Sequence, residues 1–119
     1  MFKKNKYYIR LYLNQIKVKD CISGKFTTEK SEIKYNNQRS LIADIQKAEY
    51  FISSTFKKNN FSLRNSIGII QQMEMSEGGL SNVEKRVLLE VFTRIGIKEI
   101  YIDESLTELT EKQLAEYKR

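Results

Sequence analysis

Histidine is absent from this sequence of 119 residues, and cysteine occurs once, as Cys21. Histidine is the commonest general base and the one side chain that normally titrates near neutral pH, so its absence excludes histidine-dependent catalytic triads. A lone cysteine forms no internal disulfide, and without histidine the sequence contains no zinc-ligand spacing. We therefore expect Cys21 to pack as a small apolar residue rather than to act as a nucleophile.

The sequence also lacks proline and any long apolar run. No stretch reaches the length of about 18 apolar residues that a membrane-spanning helix needs, and the start, MFKKNKYY, lacks the apolar centre of a signal peptide. A composition that is 40% hydrophobic and 30% charged is typical of a folded globular protein. We expect one domain over residues 1–119 and a cytoplasmic location.

Positive charge is concentrated near the N-terminus. The net charge is +6, and residues 1–39 hold ten lysine or arginine residues against three acidic ones. Aromatic and basic residues are interleaved here: Tyr7, Tyr8 and Tyr12 among Lys3, Lys4, Lys6 and Arg10. Such a mixture can stack on bases and neutralise phosphates, so a small basic nucleic-acid-binding domain is one functional hypothesis. Attraction of residues 1–4 to an anionic membrane surface is another.

Three segments of this N-terminal region have the alternation of β-strands. They run from Tyr7 to Leu13, from Ile16 to Cys21 and from Phe26 to Tyr35. Asn14-Gln15 and Ser23-Gly24 are plausible tight turns between them. We predict a three-stranded meander whose polar third strand lies at an exposed edge of a sheet.

The following chain alternates between helical and strand patterns. Apolar residues recur at helical spacing within Leu41–Lys58, and the β-branched run Ser66–Met73 is predicted as a buried strand. A last amphipathic helix is predicted from the spacing of Leu106, Leu109, Leu114 and Tyr117. Ser105 and Glu108 have the spacing of a capping box for it.

The clearest unit of the sequence begins at Ser81. Ser81 and Glu84 form an S-x-x-E capping box, so a helix is predicted to start here. Its apolar stripe consists of Val83, Val87, Val91 and Ile95, with Leu88 and Phe92 beside them. Gly96 is suited to close the helix in the left-handed conformation, and a strand is predicted over residues 98–102.

The predicted order of elements is β-β-β-α-β-α-β-α. Right-handed crossovers make the later strands parallel to the first, so we expect an α/β fold in which helices pack on a mixed sheet of five strands. This order is that of the ribonuclease-H-like unit, the half-domain from which actin-like proteins are built.

Residues 79–104 also carry a V-E-K-R helix start, a G-I-K-E turn, a short strand and an acidic residue after it. The positions concerned are Val83, Glu84, Lys85, Arg86, Gly96, Lys98, Glu99, Ile100, Tyr101, Ile102 and Glu104. Together with the L-I-A-D of Leu41–Asp44, they resemble the bacterial rod-shape-determining actins, the MreB family. The resemblance covers most of residues 7–106 and implies the N-terminal subdomain of an actin-like protein.

The first hairpin departs from that family. There it reads D-x-G-T-x-x-T, in which the aspartate organises a hydrated metal ion and the glycine lets the backbone approach the nucleotide phosphates. Aligning the strand puts Arg10 at the aspartate position and Tyr12 at the glycine position. We therefore expect a non-catalytic single-lobe relative without a nucleotide cofactor. We expect it to act through protein–protein contact, with a filament or an envelope-assembly complex as its partner.

Two further features could carry chemistry. Gly78-Gly79 precedes a helix N-terminus, which can bind anions, but the pair lacks the lysine and Ser/Thr of a P-loop, so we interpret it as loop geometry. The acids Asp103, Glu104, Glu108 and Glu111 could hold a divalent metal, as in nucleases of this fold. Such nucleases also need a carboxylate on the first strand, where Arg10 lies. We therefore assign no catalytic, cofactor-binding or metal-binding residue and interpret the acids as a solvated loop and helix start.

Overall fold

The computed structural model describes residues 4–32, 34–36, 41–76 and 78–117. Its elements are β1 (Asn5–Tyr12), β2 (Gln15–Asp20), β3 (Phe26–Lys30), α1 (Ile45–Lys58), β4 (Ser66–Gln72), α2 (Asn82–Ile95), β5 (Glu99–Asp103) and α3 (Glu111–Glu116). The order of strands and helices predicted from the sequence is confirmed. Residues 1–3, to which the membrane hypothesis mainly refers, lie outside the described residues.

The five strands form one mixed sheet in the order β3-β2-β1-β4-β5. β1 pairs antiparallel with β2, and β2 with β3, which confirms the predicted meander and its exposed edge. β4 runs parallel to β1, and β5 runs parallel to β4, because each follows a helical crossover. The sheet therefore has β1 at its centre and its three parallel strands side by side.

Helices α1 and α2 pack together on one face of the sheet. Ile9 of β1 lies in their core, to which the helices contribute Ala48, Ile52, Phe56, Leu88, Val91 and Phe92. Side chains alternate between the two faces along a strand, so the neighbouring Tyr8 lies on the opposite face. It packs there with Ile69, Leu109 and Leu114, the last of which belongs to α3. We call this second side the α3 face.

The start and end of α2 follow the sequence prediction. The Ser81 hydroxyl accepts the Glu84 backbone N–H at 3.1 Å, and the Glu84 carboxylate accepts the Ser81 N–H at 2.9 Å. Gly96 closes the helix with φ +117°, in the left-handed region that glycine adopts most readily. The capping box and the glycine cap are therefore both present.

Val83 does not belong to the buried stripe of α2, because 70% of its surface is exposed. An apolar residue at every fourth position drifts by about 40° per step on a helix with 3.6 residues per turn. Val83 is two such steps before Val91 and points well away from the sheet, whereas Leu88 and Phe92 lie at the centre of the buried side.

β3 ends at Lys30, five residues before the predicted Tyr35. The chain leaves the edge of the sheet here because Tyr35 is drawn into the core, where 1% of its surface is exposed. The Tyr35 backbone N–H donates to the side chain of Asn14 at 3.3 Å, and its ring stacks on Phe51 with centroids 5.9 Å apart. Burial of a large ring thus determines where the strand stops.

The last helix begins later than predicted, and Ser105 and Glu108 do not form its capping box. The capping box of α3 is formed by Thr110 and Gln113, with the Thr110 hydroxyl accepting the Gln113 N–H at 3.1 Å. The Ser105 N–H donates instead to Asp103, which holds the chain in a turn. No helix in the described part of the chain is long and apolar enough to cross a membrane.

Candidate functional site

The parallel strands β1, β4 and β5 all end at one edge of the sheet, which is where open α/β sheets most often bind their ligands. The register places Arg10 of β1 beside Gln71 of β4, and Gln71 beside Asp103 of β5. The three side chains form one row on the α3 face. Arg10, which departs from the actin-like hairpin, and Asp103, which was considered as a metal ligand, therefore lie in the same row as Gln71.

Arg10 fills the first position of the row with a fixed positive charge. Only 9% of its surface is exposed, and its Nη1 lies 2.5 Å from Oε1 of Glu108. The guanidinium carbon lies 5.2 Å from the ring centroid of Tyr8 and 5.8 Å from that of Phe26. Packing between two rings and a carboxylate holds the cation in place, and its charge repels a metal ion.

Gln71 fills the second position and is completely buried. Its Oε1 accepts a hydrogen bond from the Tyr8 hydroxyl, and its Nε2 donates to the carbonyl oxygens of Ser105 and Thr107, each at 2.7 Å. The Tyr8 hydroxyl in turn accepts the Leu109 N–H at 3.0 Å. The network holds the segment between β5 and α3 on the sheet and leaves this glutamine no free polar atom for a ligand.

Sequence reasoning missed Gln71. The available signal was a pair of glutamines at the end of an otherwise apolar run, SIGIIQQ, because a polar residue in a buried strand requires partners. Its partners lie 34 and 36 residues further along the chain. Nothing in the local pattern could identify them.

Asp103 fills the third position and is held by its own neighbours. Its Oδ1 accepts the Ser105 N–H at 2.8 Å, and its Oδ2 accepts the hydroxyl of Tyr117. Partial burial raises the pKa of Asp103, but the hydrogen bonds from Tyr117 and Ser105 outweigh this effect and lower it below its usual range. Burial and the bond to Asp103 raise the pKa of Tyr117 to about 12.

Glu104 binds the loop before α2. Its Oε1 accepts the Leu80 N–H at 3.0 Å, and its Oε2 lies 2.9 Å from Nζ of Lys85. The Leu80 bond, followed by the contact with Lys85, lowers the pKa of Glu104. Gly78 and Gly79, with φ of +78° and +92°, shape the turn that presents this N–H. The carboxylate of Glu104 therefore ties the end of β5 to the loop that leads into α2.

The four acids that were considered as metal ligands each contact a different partner. Asp103 binds Tyr117, Glu104 binds Leu80 and Lys85, and Glu108 binds Arg10. Glu111 lies 3.4 Å from Nζ of Lys19. Among the residues that the structure describes, no group of three or more histidine, cysteine, aspartate or glutamate side chains is placed to hold a metal ion.

The aromatic and basic residues of β1 do not form a common surface. Tyr7 and Tyr8 are buried on opposite faces, with 1% and 2% of their surfaces exposed. Nζ of Lys6 donates to the carbonyl oxygens of Leu114 and Tyr117, each at 2.6 Å, at the C-terminal end of α3. Only Tyr12 keeps a partly exposed ring, with Nζ of Lys17 lying 5.1 Å from its centroid.

Cys21 is half-buried and packs beside the core on the α3 face. Burial raises the pKa of its thiol above the usual value, although Lys6 and Lys19 act in the opposite direction. A thiol with a raised pKa contains little of the nucleophilic thiolate at neutral pH. This environment fits a packing role.

Comparison with known proteins gives one relative in sequence and a set of structures in fold. No protein-family model matches the chain. The uncharacterized protein YjaA of Escherichia coli strain K12 is 36% identical over 93 residues, which cover 71% of this chain and 71% of YjaA. More than a third of the aligned residues are thus the same in a protein of similar length.

Among solved structures, MreB5 of Spiroplasma citri has a similar fold. Its ADP-bound crystal structure aligns with a TM-score of 0.64 at 12% identity and covers 86% of this chain. The AMPPNP-bound structure aligns with a TM-score of 0.63 at 11% identity. The chain spans 38% of the length of the ADP-bound MreB5 chain. At such low identity the likeness establishes the fold, and the predicted α/β fold of an actin-like half-domain is confirmed.

Proposed function

The chain belongs to the family of the Escherichia coli protein YjaA, and we propose that it is a non-catalytic actin-like half-domain that acts by binding another protein. The observation that carries this proposal is the ion pair between Arg10 and Glu108. It occupies the end of the central strand, where an actin-like nucleotide site requires a metal-organising carboxylate. Arg10 places a positive charge where a negative one would be required, and Glu108 neutralises it. The position therefore offers no carboxylate for the metal ion that accompanies a nucleotide.

The surroundings of Arg10 support the same proposal. Gln71 and Asp103, its neighbours in the row, bind the protein's own backbone and Tyr117. The Leu80 N–H, in the loop before α2, binds Glu104. These polar groups hold segments of the protein together, so we infer that this edge has become structural.

The resemblance of residues 79–104 to the rod-shape-determining actins directs the choice of partner. We propose a partner in a filament or an envelope-assembly complex, in line with the cell-shape role of that family. A half-domain that keeps the fold and lacks the nucleotide site can contribute only its surface. Protein contact is therefore the activity to be tested first.

Isothermal titration with ATP and Mg²⁺ tests the non-catalytic part of the proposal. We expect no binding heat at nucleotide concentrations up to about 1 mM, since Arg10 repels the metal and Tyr12 obstructs the phosphates. MreB5 of Spiroplasma citri, which was crystallised with ADP, is the positive control. Micromolar binding of ATP and Mg²⁺ by this chain would contradict the proposal.

The net charge of +6 favours nucleic-acid binding as the competing function. A gel-shift series with single-stranded DNA at rising salt separates the two, because phosphate contacts release counterions and weaken steeply with salt. A strong shift at low salt that disappears at about 0.2 M salt would support the nucleic-acid function. We expect no shift at low salt, since Tyr7, Tyr8 and Lys6 are engaged inside the fold.

A further inference from the structure

β3 is an edge strand of the sheet, and among the described residues no strand pairs with its outer side. Two backbone hydrogen bonds flank its pairing with β2, from Asp20 N to Lys25 O and from Ser31 N to Asn14 O, each 2.8 Å long. Bonded and non-bonded pairs alternate along an antiparallel ladder, so every second residue of β3 turns its N–H and C=O away from β2. These residues are Phe26, Thr28 and Lys30.

The side chains of the same three residues lie on the α3 face. The register aligns Thr28 with Lys17 of β2, and Lys17 with Arg10 of β1, which belongs to that face. α3 covers the face around Tyr8 and leaves the β3 side open. Half of the surface of Phe26 is exposed, and Thr28 and Lys30 are also exposed. A strand added to this edge would therefore meet both free backbone groups and accessible side chains.

Two lysines lie near this edge on the α3 face. They are Lys17, whose Nζ is 5.1 Å from the centroid of the Tyr12 ring, and Lys30. On the other face, Glu29 is paired with Lys58 at 3.1 Å, and Lys25 donates to the carbonyl of Asn59. Because the one acid of β3 is already neutralised, Lys17 and Lys30 present positive charge to a segment that approaches from the α3 side.

We propose that the β3 edge binds an extended acidic segment of a partner protein as an added strand of the sheet. The inference rests on the proposed protein-binding function and identifies the surface and the chemistry of the partner. The backbone of the segment would pair with the free groups of Phe26, Thr28 and Lys30, which supplies affinity. Its carboxylates would face Lys17 and Lys30, which supplies specificity and speeds association.

Charge and backbone chemistry distinguish this occupant from others. A second copy of the chain at the same edge would bring like-charged lysines together, which is how edge lysines prevent self-association. A nucleic acid cannot use the free N–H and C=O groups as a strand does.

Fluorescence anisotropy with a labelled peptide of about ten alternating glutamate and valine residues tests the proposal on the full chain. We expect saturable binding that weakens as salt rises. Thr28→Pro removes an outward N–H and should abolish the binding, whereas Thr28→Val, which keeps that N–H, should retain it. Proline is tolerated on edge strands, and circular dichroism would confirm that both variants are folded.

Charge reversal gives a second, independent measurement. Lys17→Glu and Lys30→Glu should each lower the affinity for the peptide by about tenfold. The matched control is Arg86→Glu, which makes the same change of charge on exposed α2, on the other side of the sheet, and should leave the affinity unchanged.

Four results would overturn the proposal: no peptide binding, equal binding of a peptide with lysine in place of glutamate, unchanged affinity in folded Thr28→Pro, or displacement of the peptide by oligo-dT. The first two would show that the lysines only protect the edge. Titration of the same preparation with ATP and Mg²⁺ keeps the two proposals distinguishable. A chain that binds neither peptide nor nucleotide contradicts the edge site and leaves the proposed function standing.

Discussion

The guanidinium of Arg10 and the carboxylate of Glu108 meet 2.5 Å apart although they are separated by 98 positions in the sequence. Arg10 comes from the central strand, and Glu108 from the segment that crosses the sheet before α3. The pair joins the first and last parts of the described chain at the edge where the three parallel strands end. It gives Arg10 a structural partner there.

Removing the carboxylate of that pair should destabilise the fold. Glu108→Gln leaves the buried charge of Arg10 without its counterion, and we expect the free energy of unfolding to fall by about 1–2 kcal/mol, since Glu108 itself is largely exposed. Urea denaturation measures the change. Glu116→Gln, an exposed glutamate of α3, is the control and should change stability by less than about 0.5 kcal/mol. An equal loss in both variants would contradict a specific role of the pair.

Replacing Gln71 by leucine should cost about 1–3 kcal/mol, because the Tyr8 hydroxyl and two backbone carbonyls lose a buried partner. Thermal unfolding of Gln71→Leu, Tyr8→Phe and the double variant measures the coupling. The double variant should lose less than the sum of the single variants, since each removes part of one network. Strict additivity would show that the two side chains act independently.

The bond between Tyr117 and Asp103 should make the free energy of unfolding fall at low pH. The pKa of Asp103 is lower in the folded protein than in the unfolded chain, so the unfolded chain takes up its proton first as pH falls. The stabilisation that ionised Asp103 contributes is complete above about pH 4 and is lost as pH falls through the pKa of Asp103 in the folded protein. Asp103→Asn should reduce the slope of unfolding free energy against pH in that range, and an unchanged slope would contradict the assignment.

The stability that this pair contributes should also be lost at alkaline pH, where Tyr117 is the group that titrates. The pKa of Tyr117 is raised from 10.0 to about 12, so the folded protein keeps its phenolic proton after the unfolded chain has lost it. The contribution of Tyr117 is therefore fully present below pH 10.0 and disappears as pH rises towards about 12. Tyr117→Phe should flatten the alkaline loss of stability. Some loss of stability with rising pH should remain in this variant, because the pKa values of Tyr7 and Tyr35 are also raised to about 12.

Loss of the α2 cap should destabilise the protein by about 1 kcal/mol. Ser81→Ala removes the hydroxyl that accepts the Glu84 N–H and leaves that donor without its protein partner. The matched control is Ser53→Ala within α1, where alanine is the better helix former and stability should rise slightly. Chemical denaturation of the two variants should therefore give changes of opposite sign.

The local elements of this fold could be predicted because short-range rules determine them. The capping box of Ser81 and Glu84, the left-handed Gly96 and the alternation in β1 each involve residues within a few positions of one another. Two of the errors arose where a distant contact intervened. β3 ends early because Tyr35 is buried against α1, and Ser105 fails as a helix cap because Asp103 and Gln71 bind its backbone.

The residue pattern was enough to predict the order of elements and the mixed sheet, and the resemblance to the rod-shape-determining actins aligned Arg10 with the aspartate of their hairpin. The three-dimensional arrangement set which polar groups meet. It paired Arg10 with Glu108, buried Gln71 and Tyr8, and joined Lys6 to the C-terminal end of α3. It also left Phe26, Thr28 and Lys30 at an open edge. The reason is that periodicity and caps act over a few residues, whereas burial and charge pairing join residues brought together only when the sheet and its helices assemble.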